Sequence, residues 1–503
     1  MSPKLVISPL LLAFLVAFLV AGELASGTSV YFAFMAALAV SCAFVTYNTL
    51  GGLGSISGIA FSRFALSTVI ICQFCKVLVF ERADEHLDVP QLTITVYGVY
   101  FFFLMLGTFV FSRLRLPLPK PAEPDTSTQS RYLYLLSFVG GVAGTLGQAA
   151  LDLAGGAGAL SLAHGFARAL AYLLPFSLVL AVDARIRSTH GRHSVGWMAV
   201  WPMVSMFAMS FIFAARTAFL MPVAIVFLTC YVRGFKFGKR HVAAAIGVAV
   251  AFFLIVSPYY LYARGLTVHT TMAEQASAMV RSLETAPGEW ETIKTTVGNA
   301  VLESPGAVNY FATPGAVTLN RFALIAPDST LIYACSSGFH YGWESLREDF
   351  FSGIPRFLSP DKAAVGSGKY LGHLDGQEPD AIETTNSTIT TISDSYGAFS
   401  WAGVAAFSFL VVPLIFVVYE SIFDMRRPWG TVATALFLLQ GTEGSMGHSI
   451  LDMMIKDPAY VIIISWCVMW VVRMIPATGD RAVRLRAADG GAVATDALVA
   501  SGD

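Results

Sequence analysis

The stretch from Trp201 to Arg240, WPMVSMFAMSFIFAARTAFLMPVAIVFLTCYVRGFKFGKR, contains no acid, and its only cation before the closing cluster Arg233, Lys236, Lys239 and Arg240 is Arg216. A bilayer core takes about 20 apolar residues per helix. The stretch therefore reads as two membrane spans, 196–214 and 216–232, that meet at Arg216 with almost no loop and run into a basic loop at 233–240. A cation inside such a hairpin either snorkels to the headgroups or faces a cavity where it meets an anion.

The rest of the chain repeats this pattern. Of its 503 residues 55% are hydrophobic and only 13% charged, about half the charged fraction of soluble domains. Ten further apolar runs, at 5–21, 28–46, 60–80, 92–111, 132–151, 166–182, 241–261, 398–419, 431–449 and 459–476, bring the expected spans to twelve. The run at 60–80 includes Arg63 and Lys76. Lys and Arg in short loops mark the cytoplasmic side. With the N-terminus inside, the basic loops 112–131, 183–195, 233–240 and 420–430 and the tail all fall on that side. The short loops opposite hold only Arg82 and Lys456. The expected fold is thus an all-α polytopic membrane protein with both termini cytoplasmic. It divides into helices 1–9 (1–261), one large external loop (262–397), helices 10–12 (398–476) and a small polar tail (477–503) expected to be disordered.

The external loop is 136 residues long, with eight Lys/Arg and fifteen Asp/Glu. Its start, 267–301, reads as an amphipathic helix, and prolines break its middle. Five of the six cysteines lie in apolar runs and Cys335 stands alone in the loop, so no disulfide framework or metal knuckle is expected. The chain lacks the phosphate-loop, dinucleotide, HExxH and GxSxG patterns, and nothing suggests nucleic acid. No metal and no cofactor are expected.

The loop does hold candidate chemistry. Arg356 follows Pro355 in SGIPRFLSPDK (352–362), and the proline stiffens the backbone that carries it. A planar guanidinium can bond two phosphate oxygens at once. Arg264 in YYLYARG and Arg321 in LNRFALI read either as interfacial anchors or as further anion contacts. The neighbours of Arg321, namely Phe322, Leu324 and Ile325, suggest a helix lying on the membrane surface. Possible bases are His340, flanked by aromatics in SSGFHYGWES, and Asp394 in TTISDSYGAF. His373, Asp375 and His448 are weaker candidates.

IPRFLSPDK (354–362), followed by TTNSTITTISDSYGAFSWAGV (384–404), resembles the C-terminal half of bacterial exopolysaccharide and O-antigen polymerases, the oligosaccharide repeat-unit polymerases. The matching positions are Pro355, Arg356, Pro360 and Lys362, then Thr388, Thr390, Asp394, Tyr396, Phe399 and Gly403. The sequence departs from the pattern at Asp394, where the family has Glu, and at Ser400, where it has Gly. The resemblance implies a glycosyltransferase-C-like membrane fold with a dominant periplasmic loop in the bacterial inner membrane. It implies a metal-independent transferase that joins polyprenyl-diphosphate-linked (undecaprenyl-diphosphate-linked) repeat units into a surface polysaccharide. Arg216, Arg264, Arg321, Arg356, Lys362 and Tyr396 would bind diphosphate and glycan, and His340 or Asp394 would deprotonate the acceptor. A chain-length regulator and a flippase of the same pathway are the implied protein partners. The alternatives are a ligase that moves finished glycan to another acceptor and, from a different class, a polysaccharide flippase.

Overall fold

In a computed structural model the described residues are 6–123, 127–153, 161–212, 216–252, 310–311, 323–343, 389–440 and 457–474, with 256, 277 and 281 as isolated positions. Among them the chain is helical and contains no strand pairing into a sheet. In chain order the helices are α1 (Pro9–Ala25), α2 (Val30–Thr49), α3 (Ile56–Leu78), α4 (Pro90–Phe111), α5 (Ser127–Leu153), α6 (Ser161–Ala171) and α7 (Leu173–Ser188). They continue with α8 (Trp197–Ile212), α9 (Arg216–Val232), α10 (Lys239–Ala251), α11 (Ile325–Ser336), α12 (Thr391–Ile422), α13 (Pro428–Gln440) and α14 (Asp457–Met474).

A helix lies on each of the twelve apolar runs, but among the described residues not all twelve helices are long enough to cross a membrane. Among the described residues seven are long and apolar enough to cross: Val30–Gly54, Ile56–Leu78, Pro90–Phe111, Arg131–Leu151, Gly165–Ser188, Thr391–Ile422 and Asp457–Met474. Pro9–Ala25, Trp197–Ser210, Phe219–Val232 and Pro428–Leu438 are apolar but shorter. The described part of α10 ends at Ala251, inside the run expected to reach 261. Hydropathy locates apolar helices well, but it does not set where each begins and ends. The N-terminal ends are set by caps. Ser8, Ser29 and Ser55 accept from the amides of Leu11, Phe32 and Gly58, and Pro9 fits the first turn of α1 because its missing N–H is not needed there.

Small residues let the helices approach closely. On α5 a Cβ at Gly141 would run into the backbone of Leu174, and one at Gly144 into that of Ala171. On α4 a Cβ at Gly107 would collide with the carbonyl of Phe409, where α12 opens into a π turn over Phe407–Val411. Aromatic rings fill the space between helices: Phe61 and Phe64 meet Phe101, and Phe176 stacks on the fully buried Trp429 at 3.7 Å between centroids.

Lys76, one of the cations inside the third apolar run, is buried at the end of α3. It pairs with Glu81 at 2.9 Å and sits over the rings of Tyr310 and Phe311, with centroids at 4.4 and 5.3 Å. Tyr310 also donates its hydroxyl to the Ala83 carbonyl at 2.7 Å. This part of the large loop is therefore docked onto the bundle. The same holds for α11. Its first residues, expected to lie on a membrane surface, are instead buried: Leu324 and Ile325, then Asp328, Leu331, Ile332 and Cys335, pack against α4 and α12. Burial pushes the Cys335 thiol up to about 12. Residues 267–301, apart from 277 and 281, and the tail from 477 lie outside the described residues.

Candidate functional site

The head of α12 meets α11 and the start of α4 around a buried carboxylate. Asp328 is fully buried and receives four hydrogen bonds. Its Oδ1 accepts from the Thr390 amide at 2.9 Å and the Ser393 hydroxyl at 2.6 Å, and its Oδ2 from the hydroxyls of Tyr97 and Thr390, both at 2.5 Å. Beside it Thr93 donates to the Ser329 hydroxyl at 3.0 Å, and the hydroxyls of Tyr100 and Thr391 share a hydrogen bond of 3.0 Å. Burial raises the Asp328 carboxyl above the usual carboxylate range, against the pull of the Ser393, Thr390 and Tyr97 donors. With both oxygens occupied, Asp328 is a keystone of the fold and has no lone pair to offer a substrate.

Asp394 lies one turn along α12 and is 1% exposed. Tyr341, also buried, donates its hydroxyl to the Asp394 carboxylate and lies 3.0 Å from the Asp394 carbonyl. Gly397 makes room for this contact, since a Cβ there would stand 2.6 Å from the Tyr341 ring. His340, the residue before Tyr341, is exposed, and its Nδ1 lies 3.3 Å from the Gly397 carbonyl oxygen. A carbonyl can only accept, so Nδ1 carries the hydrogen and the lone pair of the neutral ring is on Nε2.

Aromatic side chains surround this histidine. The His340 and Tyr396 rings are 6.3 Å apart, Tyr396 meets Trp401 at 5.4 Å, and Trp343 meets Phe399 at 4.9 Å. Trp343 is 76% exposed and Trp401 41%, so the rim presents indole faces outward. The helix breaks at this rim. Phe399 leaves helical geometry, and Ser400 takes φ 53° and ψ −140°, a conformation that favours glycine. Ser400 is the position at which the polymerase pattern that the sequence resembles carries Gly.

Of the residues singled out in the sequence, His340, Asp394 and Tyr396 come together here. Arg216 heads α9, with its side chain outside what the structure describes. Arg264, Arg321, Arg356 and Lys362, like His373, Asp375 and His448, lie outside the described residues. Sequence reasoning missed Asp328 and Tyr341. The signal for Asp328 was a single acid among the apolar residues of IAPDSTLIYAC. It also missed Arg168 on α6, whose Nη2 is 3.8 Å from the Asp457 carboxylate, to which Tyr172 donates at 2.7 Å.

No family model, no curated protein and no solved structure matches the chain.

Proposed function

We propose that the protein is a membrane glycosyltransferase that polymerises polyprenyl-diphosphate-linked oligosaccharide repeat units into a surface polysaccharide. The reaction would run on the outer face of a bacterial inner membrane, and the chain would cross twelve times with both termini in the cytoplasm. The observation that carries this reading is His340. It is exposed, it is held by the Gly397 carbonyl in the tautomer that leaves Nε2 basic, and it stands at the head of the helix that bears the polymerase-like motif.

In this reaction Nε2 takes the proton of an acceptor hydroxyl, whose oxygen attacks the anomeric carbon of the donor glycan. The bond to the diphosphate breaks, and polyprenyl diphosphate leaves with the electron pair. Arg216, Arg264, Arg321, Arg356 and Lys362 are the cations assigned to that departing charge. The exposed indoles of Trp343 and Trp401 suit the apolar faces of sugar rings, and Tyr396 packs between His340 and Trp401. Asp394 then acts as a positioning residue. It fixes Tyr341, and through it the turn that presents His340. No comparable observation favours the ligase or the flippase.

The test is polymer length in a deletion strain complemented with wild type, His340→Ala, His340→Gln or Arg356→Lys, with membrane levels of each variant measured alongside. A general base contributes about 10²–10⁴-fold in rate. Both His340 variants should therefore accumulate single lipid-linked repeats at normal protein levels. Polymer of normal length from His340→Ala would refute the assignment.

A further inference from the structure

Thr108 lies on α4 eleven residues beyond Tyr97, about 16 Å at 1.5 Å per residue, and so at the opposite end of the bundle from Asp328. There a cavity of about 350 Å³ opens between the ends of α2, α3, α4 and α12. Its walls carry one carboxylate, Glu420, and one guanidinium, Arg115, and these do not pair with each other. Glu420 Oε1 accepts from the amide and the hydroxyl of Ser57, each at 3.1 Å, and so caps α3. Arg115 turns Nη1 back onto the carbonyls of Ser112 and Leu114, at 3.2 and 2.9 Å, and is otherwise exposed. Among the described residues, neither takes part in an ion pair, and Glu420 Oε2 accepts no hydrogen bond.

A third group on the wall is Thr108. Threonines inside the other helices donate to the carbonyl one turn back, as Thr46, Thr49 and Thr68 do at 2.7–2.8 Å. Thr108 is 1% exposed as a residue, and among the described residues its buried hydroxyl has no hydrogen-bond partner. A buried hydroxyl left unpaired on a cavity wall is a group held ready for a ligand or an ordered water. The remaining wall is mixed, with the hydroxyl residues Thr49, Ser55 and Ser112 on it and an apolar side made by Leu50, Pro413, Phe416 and Val417. A ligand that meets these groups carries both a cation and an anion, with an apolar attachment for the side made by Pro413 and Phe416.

We propose that this cavity binds an ammonium-bearing phosphate ester of the phosphoethanolamine type. The ammonium sits on Glu420, the phosphate on Arg115, and the Thr108 hydroxyl donates to a phosphate or ester oxygen. Arginine's planar fork favours phosphate, and the ends of membrane helices lie at the depth of lipid headgroups. The chemistry is shared by a phospholipid headgroup and by the free phosphomonoester. This inference does not depend on the glycosyltransferase reading.

The test uses the full-length protein purified in detergent. Binding is measured by calorimetric titration and by ligand-induced thermal shift, with dioctanoyl phosphatidylethanolamine, dioctanoyl phosphatidylglycerol, free phosphoethanolamine and glycine as probes. The ethanolamine lipid should bind at least about tenfold tighter than the glycerol lipid, the equivalent of one charge-assisted hydrogen bond. Arg115→Gln should weaken it by a similar factor, and Thr108→Val by less. Because Glu420 also caps α3, the exposed Arg115 is the deciding position. If free phosphoethanolamine binds as well as the lipid, the ligand is soluble; if only the lipid binds, it is a headgroup with its chains. Equal binding of the two lipids, glycine matching phosphoethanolamine, or unchanged affinity in Arg115→Gln would each overturn the proposal.

Discussion

Replacing Asp328 separates two accounts of the buried network at the head of α12. In Asp328→Ala four donors lose their acceptor: the amide and hydroxyl of Thr390 and the hydroxyls of Ser393 and Tyr97. Even at the low end of about 1 kcal/mol for each orphaned buried donor, the loss is about 4 kcal/mol. Asp328→Asn is different. With its oxygen at the Oδ1 position the amide still accepts from the Thr390 amide and Ser393. Its NH₂ then faces only the hydroxyls of Tyr97 and Thr390, which can rotate and accept. The expected cost is about 1–2 kcal/mol, one charge-assisted pair traded for a neutral one. The assay is the midpoint of folded-peak loss by gel filtration of heated, detergent-solubilised protein. On a scale of about 2 °C per kcal/mol, Ala should lower the midpoint by about 8 °C and Asn by about 2–4 °C. If Asn melts as low as Ala, negative charge rather than acceptor count holds the network. An Ala variant that melts with wild type would refute the keystone role altogether.

Three further outcomes are expected. Ser400→Gly relieves a backbone conformation with φ 53° and should raise the same midpoint by an amount equivalent to about 1 kcal/mol, whereas Ser400→Val should lower it. Gly107→Ala puts a methyl group against the Phe409 carbonyl, so α4 and α12 must separate and the folded yield in membranes should fall sharply; an unchanged yield would disprove the close crossing. Burial raises the Glu123 carboxyl to about 8, against the pull of Arg427, so the folded protein binds more protons than the unfolded chain between the ordinary carboxylate range and that value. Stability should therefore be highest at low pH in this window and fall as pH rises through about 8, with a flatter profile in Glu123→Gln measured from pH 5 to 9.

The helices were largely legible in the sequence because a bilayer imposes one rule on every span, and a run of apolar residues is the direct record of it. The rule fails where polar residues are buried by protein. The tenth apolar run begins at 398, but α12 begins at Thr391 because Ser393, Asp394 and Ser395 are buried against neighbouring segments. To a hydropathy window these residues look like loop. The same blindness hid Asp328, which sits in a segment that the sequence assigned to an external surface. Its partners Tyr97 and Thr390 are 231 and 62 residues away, and no periodicity connects such positions. His340 and Asp394 could be named from their flanking residues. That one lies exposed and the other beneath a tyrosine was not readable from either.

This difference in placement is what sorts the three titratable groups at the site. All three lie in one loop of the sequence, which names His340 and Asp394 as alternative bases without ordering them and passes over Asp328. In the fold, Asp328 has both oxygens filled by protein donors and Asp394 is covered by Tyr341, while His340 faces outward with one nitrogen bound to a carbonyl. A proton acceptor must be reachable and must keep a lone pair free. Only His340 meets both conditions among these three, and the buried Asp394, through Tyr341, supplies what an exposed imidazole lacks by itself, a fixed position. The Gly397 carbonyl that sets its tautomer belongs to the same turn that Asp394 and Tyr341 hold in place. If His340 is the base of the proposed transferase, Asp394→Asn should lower turnover less than His340→Ala, because it loosens Tyr341 and the turn beneath the histidine without removing the imidazole.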